Sequence, residues 1–129
     1  TYVTWSYNVE FLLKSLKEQT DEYRGFGYKI VGYGAAAKGM TLLNASGIKL
    51  DAVIDDNPLK VGTWCPGTSI PVVNRNYIMT IPADEPTVFI PLAWNFYDEI
   101  VQKIRSVRDS DGDMFVRYFP KLKTDVYED

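Results

Sequence analysis

The 129-residue sequence contains no histidine and a single cysteine, Cys65. Without histidine the commonest proton shuttle near neutral pH is missing, and no Ser or Cys has a recognisable activating partner. Tyr33 or Lys38 could serve in proton transfer, but nothing in the sequence requires it, so no catalytic residue is assigned. One cysteine cannot form an internal disulfide, and with no second Cys and no His there is nothing to complete a zinc site. A reducing compartment fits this usage, and a cytoplasmic location is expected. No apolar run approaches the roughly 20 residues that span a bilayer, and the N-terminus shows no basic segment followed by an apolar stretch. Clustered positive charge is lacking too: the net charge is -3 and the Lys and Arg residues are scattered. A surface that tracks nucleic-acid phosphates is therefore not indicated, and neither nucleic acid nor membrane is expected as a partner.

What is present is an ordinary globular composition. Hydrophobic residues make up 46% and charged residues 24%, which points neither to disorder nor to a fibrous repeat. The length has room for one domain, residues 1–129, with a single core. The chain starts at Thr1 rather than Met, the start expected of a segment cut from a larger protein.

Hydrophobic spacing sets out the elements. Trp5, Val9, Leu12, Leu13 and Leu16 fall on one helical stripe, which predicts a leading helix over residues 1–24. Gly25 and Gly27 break it. Tyr28 to Val31 is β-prone and runs into Gly32-Tyr33-Gly34; the Ala-rich stretch that follows predicts a helix stopped by Gly47. Ile48 to Ile54 reads as a second strand, ended by Asp55-Asp56-Asn57-Pro58. Leu59 to Val73 reads as an ordered loop closing in a short strand over Ile70 to Val73, with a brief helical segment near Arg75 to Met79. The continuous apolar run Thr87 to Ile90 predicts a strand buried on both faces, as in a parallel sheet. Tyr97, Ile100, Val101, Ile104 and Val107 mark another helix, for which Asn95 is a candidate N-cap. A turn over Asp109 to Asp113 leads to a last strand, Met114 to Phe119, stopped by Pro120, and residues 121–129 read as a charged tail. Asp109, Asp111 and Asp113 imitate part of a calcium loop, but the glycine is misplaced and no bidentate Glu closes it, so no metal site is assigned.

Strands alternating with helices imply a Rossmann-like, three-layer α/β domain with a mostly parallel sheet of about five strands. Strand order 3-2-1-4-5 would bring three loops together at the switch point: Gly32 to Gly39, Asp55 to Asn57 and Leu92 to Asn95.

These loops hold the candidate ligand-binding residues. Gly32-Tyr33-Gly34-Ala35-Ala36-Ala37 has the form G-x-G-x-x-G/A between a predicted strand and a predicted helix, where backbone amides and the helix dipole can cradle a phosphate. Alternatively its small residues only let helix and strand pack closely. Lys38 sits in the first turn of that helix, either repaid by an anion or solvated at the surface. Gly39 is followed by Met40 rather than lysine, which excludes a Walker A loop. Asp55, twenty-three positions after Gly32, stands near where dinucleotide folds place an acid on a ribose diol, although acids before Asn-Pro also form turns. Asn57 and Lys60 belong to a loop whose glycines and prolines suit a fixed wall over a ligand. Trp94 and Asn95 offer an aromatic face and an amide, or alternatively a packed ring and a helix cap.

Taken in order, Gly32 to Gly39, Thr41-Leu42-Leu43-Asn44, Asp55 to Gly62 and Pro66 to Val72 resemble the C-terminal domain of S-adenosylmethionine-dependent sugar C-methyltransferases. The resemblance covers nearly the whole chain. It implies a zinc-binding domain and a methyltransferase domain ahead of this one, holding the zinc and the S-adenosylmethionine. It also implies that this domain helps to hold a nucleotide-linked sugar against the methyltransferase domain of its parent chain. By the same resemblance Gly32 to Gly39, Asn57, Lys60 and Asn95 would line the nucleotide-sugar side of the cleft between domains. The motif with Asp55 leaves open an NAD(P)-binding regulatory module, and a Rossmann-like fold that only docks against its enzyme is a third reading.

Overall fold

The computed structural model describes residues 2–34, 47–65, 68–108, 110, 112–117 and 123–126, with side chains for all of these except 2–10, 94 and 123–126. Helix α1 spans Tyr2–Gly25. Strands follow in the order β1 Lys29–Tyr33, β2 Ala52–Ile54, β3 Val72–Val73 and β4 Thr87–Pro91. Helix α2, Tyr97–Val107, leads to β5, Met114–Arg117, and β6, Lys123–Val126. A 3-10 helix covers Arg75–Thr80, and a 3-10 turn over Trp94–Phe96 precedes α2. The Ala-rich segment expected to be helical, residues 35–46, lies outside the described residues. Among the described residues no helix is long and apolar enough to cross a membrane.

The strands form one sheet in the order β3-β2-β1-β4-β5-β6. The first five are parallel, and β6 alone runs antiparallel to β5. This is the expected Rossmann-like order. β6 lies within the segment expected to be a charged tail. The strand lacks a long apolar run, but in the sequence Thr124 and Val126 alternate with the charged Lys123 and Asp125 at the period of a strand.

Alternation along the strands divides the core in two. Ile30, Val53, Val88, Ile90 and Val116 pack with Leu16 of α1 on one face. Val31, Ile54, Phe89 and Phe115 pack on the other with Tyr97, Ile100 and Ile104 of α2 and Ile78 of the 3-10 helix. Every residue of β4 is buried, as its continuous apolar run predicts. Tyr23 stacks on Tyr28 with ring centroids 5.7 Å apart, pinning the end of α1 to the start of the sheet.

β2 is shorter than the apolar run Ile48 to Ile54 suggests. The cause is Asp51, whose backbone amide bonds to the Ile30 carbonyl at 2.8 Å while its carboxylate accepts the Ile30 amide at 2.8 Å. A side chain thus takes a ladder position, and the strand begins after it, although Ile48 and Leu50 remain buried in the core. β3 is likewise trimmed to two residues, because Pro71 cannot donate and instead bridges antiparallel to Trp64.

At the amino edge of the sheet one cation organises the loops. Arg108, 3% exposed, meets Asp113, 2% exposed, through Nε at 2.7 Å and Nη2 at 3.2 Å. Its remaining donors go to the carbonyls of Ile81, Pro82 and Glu85 at 2.9, 3.0 and 2.6 Å. Asp113 also accepts the Thr87 amide at 3.1 Å, so the starts of β4 and β5 share one carboxylate. A buried charge stripped of its partner is costly. Arg108→Met should therefore lower unfolding free energy by about 3–5 kcal/mol, read as a lower urea midpoint, and replacing Asp113 with Leu in that background should restore part of the loss.

Candidate functional site

The carboxyl edge of the sheet is where the order reverses: β1 continues toward β2 and β3 on one side and toward β4 and β5 on the other. In open α/β sheets such a reversal is where a crevice forms. A cleft of about 310 Å³ lies there. Tyr33 and Gly34 close it from β1, Asp55 and Asp56 from the end of β2, and Ala93 from the end of β4. The fourth wall is the start of α2, contributing Phe96, Glu99, Ile100 and Lys103.

Gly32 and Gly34 have different tasks. Gly32 is inside β1, paired with Val53 and Ile90. A Cβ there would lie 3.1 Å from Leu50 Cδ1 and 3.2 Å from Leu92 Cδ1, so its smallness serves close packing. Gly34 has φ +92°, a left-handed conformation that L side chains resist. Its amide donates to the Ile54 carbonyl at 2.6 Å, which ties the turn to β2 and commits that N–H. The other loop residues expected to bind a ligand, Ala35, Ala36, Lys38 and Gly39, lie outside the described residues.

Asp56 is the hub of the site. The Tyr33 hydroxyl donates to both of its carboxylate oxygens at 2.8 and 2.9 Å. Lys103 Nζ approaches at 3.2 Å and Arg75 Nε at 3.7 Å. The loop after β2 is thereby fastened to β1, α2 and the 3-10 helix together. Partial burial works to raise the Asp56 pKa, but the Tyr33 hydrogen bond, then the Lys103 contact and the Arg75 charge, outweigh it and hold the carboxyl below its ordinary value. For Tyr33, burial first and the Asp56 bond second push the phenol well above its ordinary range, leaving it a neutral donor.

Asp55 sits beside this hub with a different environment: its carboxylate accepts the Asn57 amide at 2.7 Å and its own amide bonds to Val73 at 3.0 Å. Asn57 forms a turn on itself, its side chain accepting the Leu59 amide at 3.0 Å. The Lys60 amide bonds to the Asn57 carbonyl at 3.0 Å. Asn57 and Lys60 shape the loop that carries Asp55 but are not among the residues that line the cleft. Trp94 and Asn95 lie in the 3-10 turn before α2. Asn95 is exposed and is not the cap expected of it: the cap position belongs to Phe96, with no side-chain bond. The intervening 3-10 turn moves the start of α2 along, while Asp98 and Glu99 supply the negative first turn that the sequence predicts.

Phe96, Glu99 and Lys103 were not singled out from the sequence as residues of the cleft. A signal existed, because positions 96, 99, 100 and 103 share one helical stripe; the mixed chemistry of the stripe hid it. Cys65 is buried in the core, and burial, partly offset by the Thr68 hydrogen bond, raises its thiol. Among the described residues no group of His, Cys, Asp or Glu is placed to hold a metal ion.

Sheet order and a switch-point cleft define a Rossmann-like α/β domain. The family model for the C-methyltransferase C-terminal domain matches residues 1–120, and the chain belongs to that family. No match to a curated protein was found.

The hub makes stability depend on pH in a definite sense. Asp56 has a folded pKa below its ordinary 3.8, so its stabilising contribution is complete above that ordinary value and is lost as pH falls through the folded one. Asp56→Asn should flatten the acid limb of a plot of urea midpoint against pH. It should also bring Tyr33 ionisation down toward the ordinary 10.0, read by ultraviolet difference absorbance.

Proposed function

We propose that this domain holds a nucleotide-linked sugar for an S-adenosylmethionine-dependent C-methyltransferase, and that it lacks a catalytic apparatus of its own. The observation that carries the reading is the cleft at the carboxyl ends of β1, β2 and β4 in a member of a C-methyltransferase C-terminal family. Small-ligand sites in open α/β sheets concentrate at such switch points. Phosphates would lie against the backbone amides after Gly34, at the start of the helix expected from the sequence, with Ala35, Ala36, Lys38 and Gly39 around them. Asp55 would accept hydroxyl protons from a sugar ring. Methyl-donor and zinc chemistry would belong to the remainder of a parent enzyme, and its methyltransferase domain would be the partner against which the ligand is held.

The competing reading is an NAD(P)-binding regulatory module, favoured by an acid at the end of β2. Ligand that binds only the folded state raises stability by RT ln(1 + [L]/Kd), about 2.7 kcal/mol at a hundredfold excess over Kd. The nucleotide-sugar reading therefore predicts that dTDP-glucose or dTDP at millimolar concentration raises the melting temperature of the chain, with no saturable enhancement of NADH fluorescence. The reverse pattern would transfer the assignment to the cofactor. Gly34→Val forces a side chain into φ +92°, a strain of roughly 1–3 kcal/mol. It should abolish the ligand-induced shift while the variant still melts cooperatively at lower temperature; an undiminished shift would remove the Gly34 turn from the binding site, and a full parent enzyme whose activity survives Gly34→Val would leave only docking as the role of the fold.

A further inference from the structure

Three exposed apolar side chains stand at the carboxyl edge of the sheet, each on a different element. Helix α1 supplies the first. It turns into β1 through Phe26 and Gly27 at the amino edge, where Tyr23 stacks on Tyr28, and Leu16 packs among the strand residues further along, so α1 runs antiparallel to β1. Its 24 residues rise about 36 Å, whereas the five residues of β1 cover about 17 Å. The first turns of α1 therefore overrun the carboxyl edge, and Phe11, 61% exposed, stands where the helix crosses it. Leu59 is the second, 87% exposed, on a loop fastened to β3 at both ends: the Asp55 amide bonds to the Val73 carbonyl at 3.0 Å and the Gly62 amide to the Val72 carbonyl at 2.9 Å. The Asn57 side chain holds the Leu59 amide at 3.0 Å, so this leucine is presented to solvent on backbone that is already ordered. Phe96, in the turn before α2, is the third. Single exposed apolar side chains are ordinary, but three ranged around one opening mark a face that meets another surface.

We propose that this rim, Phe11, Leu59 and Phe96, is the face on which the methyltransferase domain of a parent enzyme docks. The proposal rests on the reading of the chain as part of a methyltransferase and adds the contact surface. Two features select this occupant over a second copy of the chain. A methyl group can reach a ligand in the cleft only through its mouth, so the domain that carries the donor must approach the carboxyl edge. In such an enzyme the chain ahead of α1 also enters from that side, because α1 begins beyond the edge, and the domain ahead is tethered to the face it must cover. A tether raises effective concentration to the millimolar range, so a few ordered apolar side chains suffice where a free partner needs a larger face.

Backbone amide hydrogen exchange, read in the parent enzyme and in the 129-residue chain, tests it. The amides of residues 5–12 and of Leu59 to Gly62 should exchange about tenfold more slowly in the parent enzyme, while Phe26 and Gly27 at the amino edge exchange equally in both. In the parent enzyme Leu59→Asp should abolish the added protection, and Phe26→Asp, which places the same charge at the opposite edge on a side chain 73% exposed, should leave it intact. Equal exchange in the two proteins, or protection that survives Leu59→Asp, would overturn the proposal. So would a sedimentation coefficient of the 129-residue chain that rises with concentration and ceases to do so in Leu59→Asp, since the face would then belong to a second copy. The dTDP-induced melting shift of the chain should be the same in Leu59→Asp, because Leu59 does not line the cleft; protection without any such shift would keep the docking face and remove the nucleotide-sugar reading.

Discussion

β1 is hydrogen-bonded on both sides, and its register sets Tyr33 level with Ile54 of β2 and with Pro91 of β4. Parallel strands paired in this way all deliver their carboxyl ends to one edge, and here three of them reach it at the same height. The residues that follow, Gly34, Asp55, Asp56 and Leu92, must leave the sheet within a few ångströms of one another. In open parallel sheets, connections on the two sides of a reversal in strand order take opposite faces. A crevice between them is a consequence of connectivity, before any side chain is considered. Gly32 makes that convergence possible from below, since the side chains of Leu50 and Leu92 close over the place where its Cβ would be.

The two edges of the sheet handle charge in contrasting ways. At the amino edge Arg108 and Asp113 are withdrawn from water and fully matched to one another and to backbone carbonyls. The pair acts as a clamp on the starts of β4 and β5. At the carboxyl edge Asp56, Lys103 and Arg75 are each between a third and a half exposed. Exposed pairs of this kind contribute little to stability. Their effect is geometric: one carboxylate holds three elements in fixed relation around an open cavity.

Much of this architecture could be read from the residues. The continuous apolar run Thr87 to Ile90 marked a strand buried on both faces, and the alternation of short apolar runs with helical stripes pointed to the parallel order. Legibility failed wherever a side chain competed with the backbone. Asp51 occupies a ladder position and shortens β2; Pro71 trims β3; a 3-10 turn takes the place expected for a cap at Asn95. β6 was missed because an edge strand with a polar face carries a weak apolar signal, so that only period-two alternation marks it. In the site, Tyr33, Gly34 and Asp55 were legible because their spacing follows from the turn chemistry of the fold. Phe96, Glu99 and Lys103 were not, since nothing local tells a helix stripe which loop it will face.

The two adjacent aspartates show how little a sequence position says about role. Asp55 and Asp56 are identical in type and neighbours in the chain, yet the strand end turns them to separate uses. Asp56 gathers a phenol and two cations and becomes part of the scaffold. Asp55 steadies its own loop through the Asn57 amide and lines the cleft. Two neighbouring carboxylates at one strand end thus serve two purposes, because alternation along the chain sends one toward Tyr33 and the other toward its own turn.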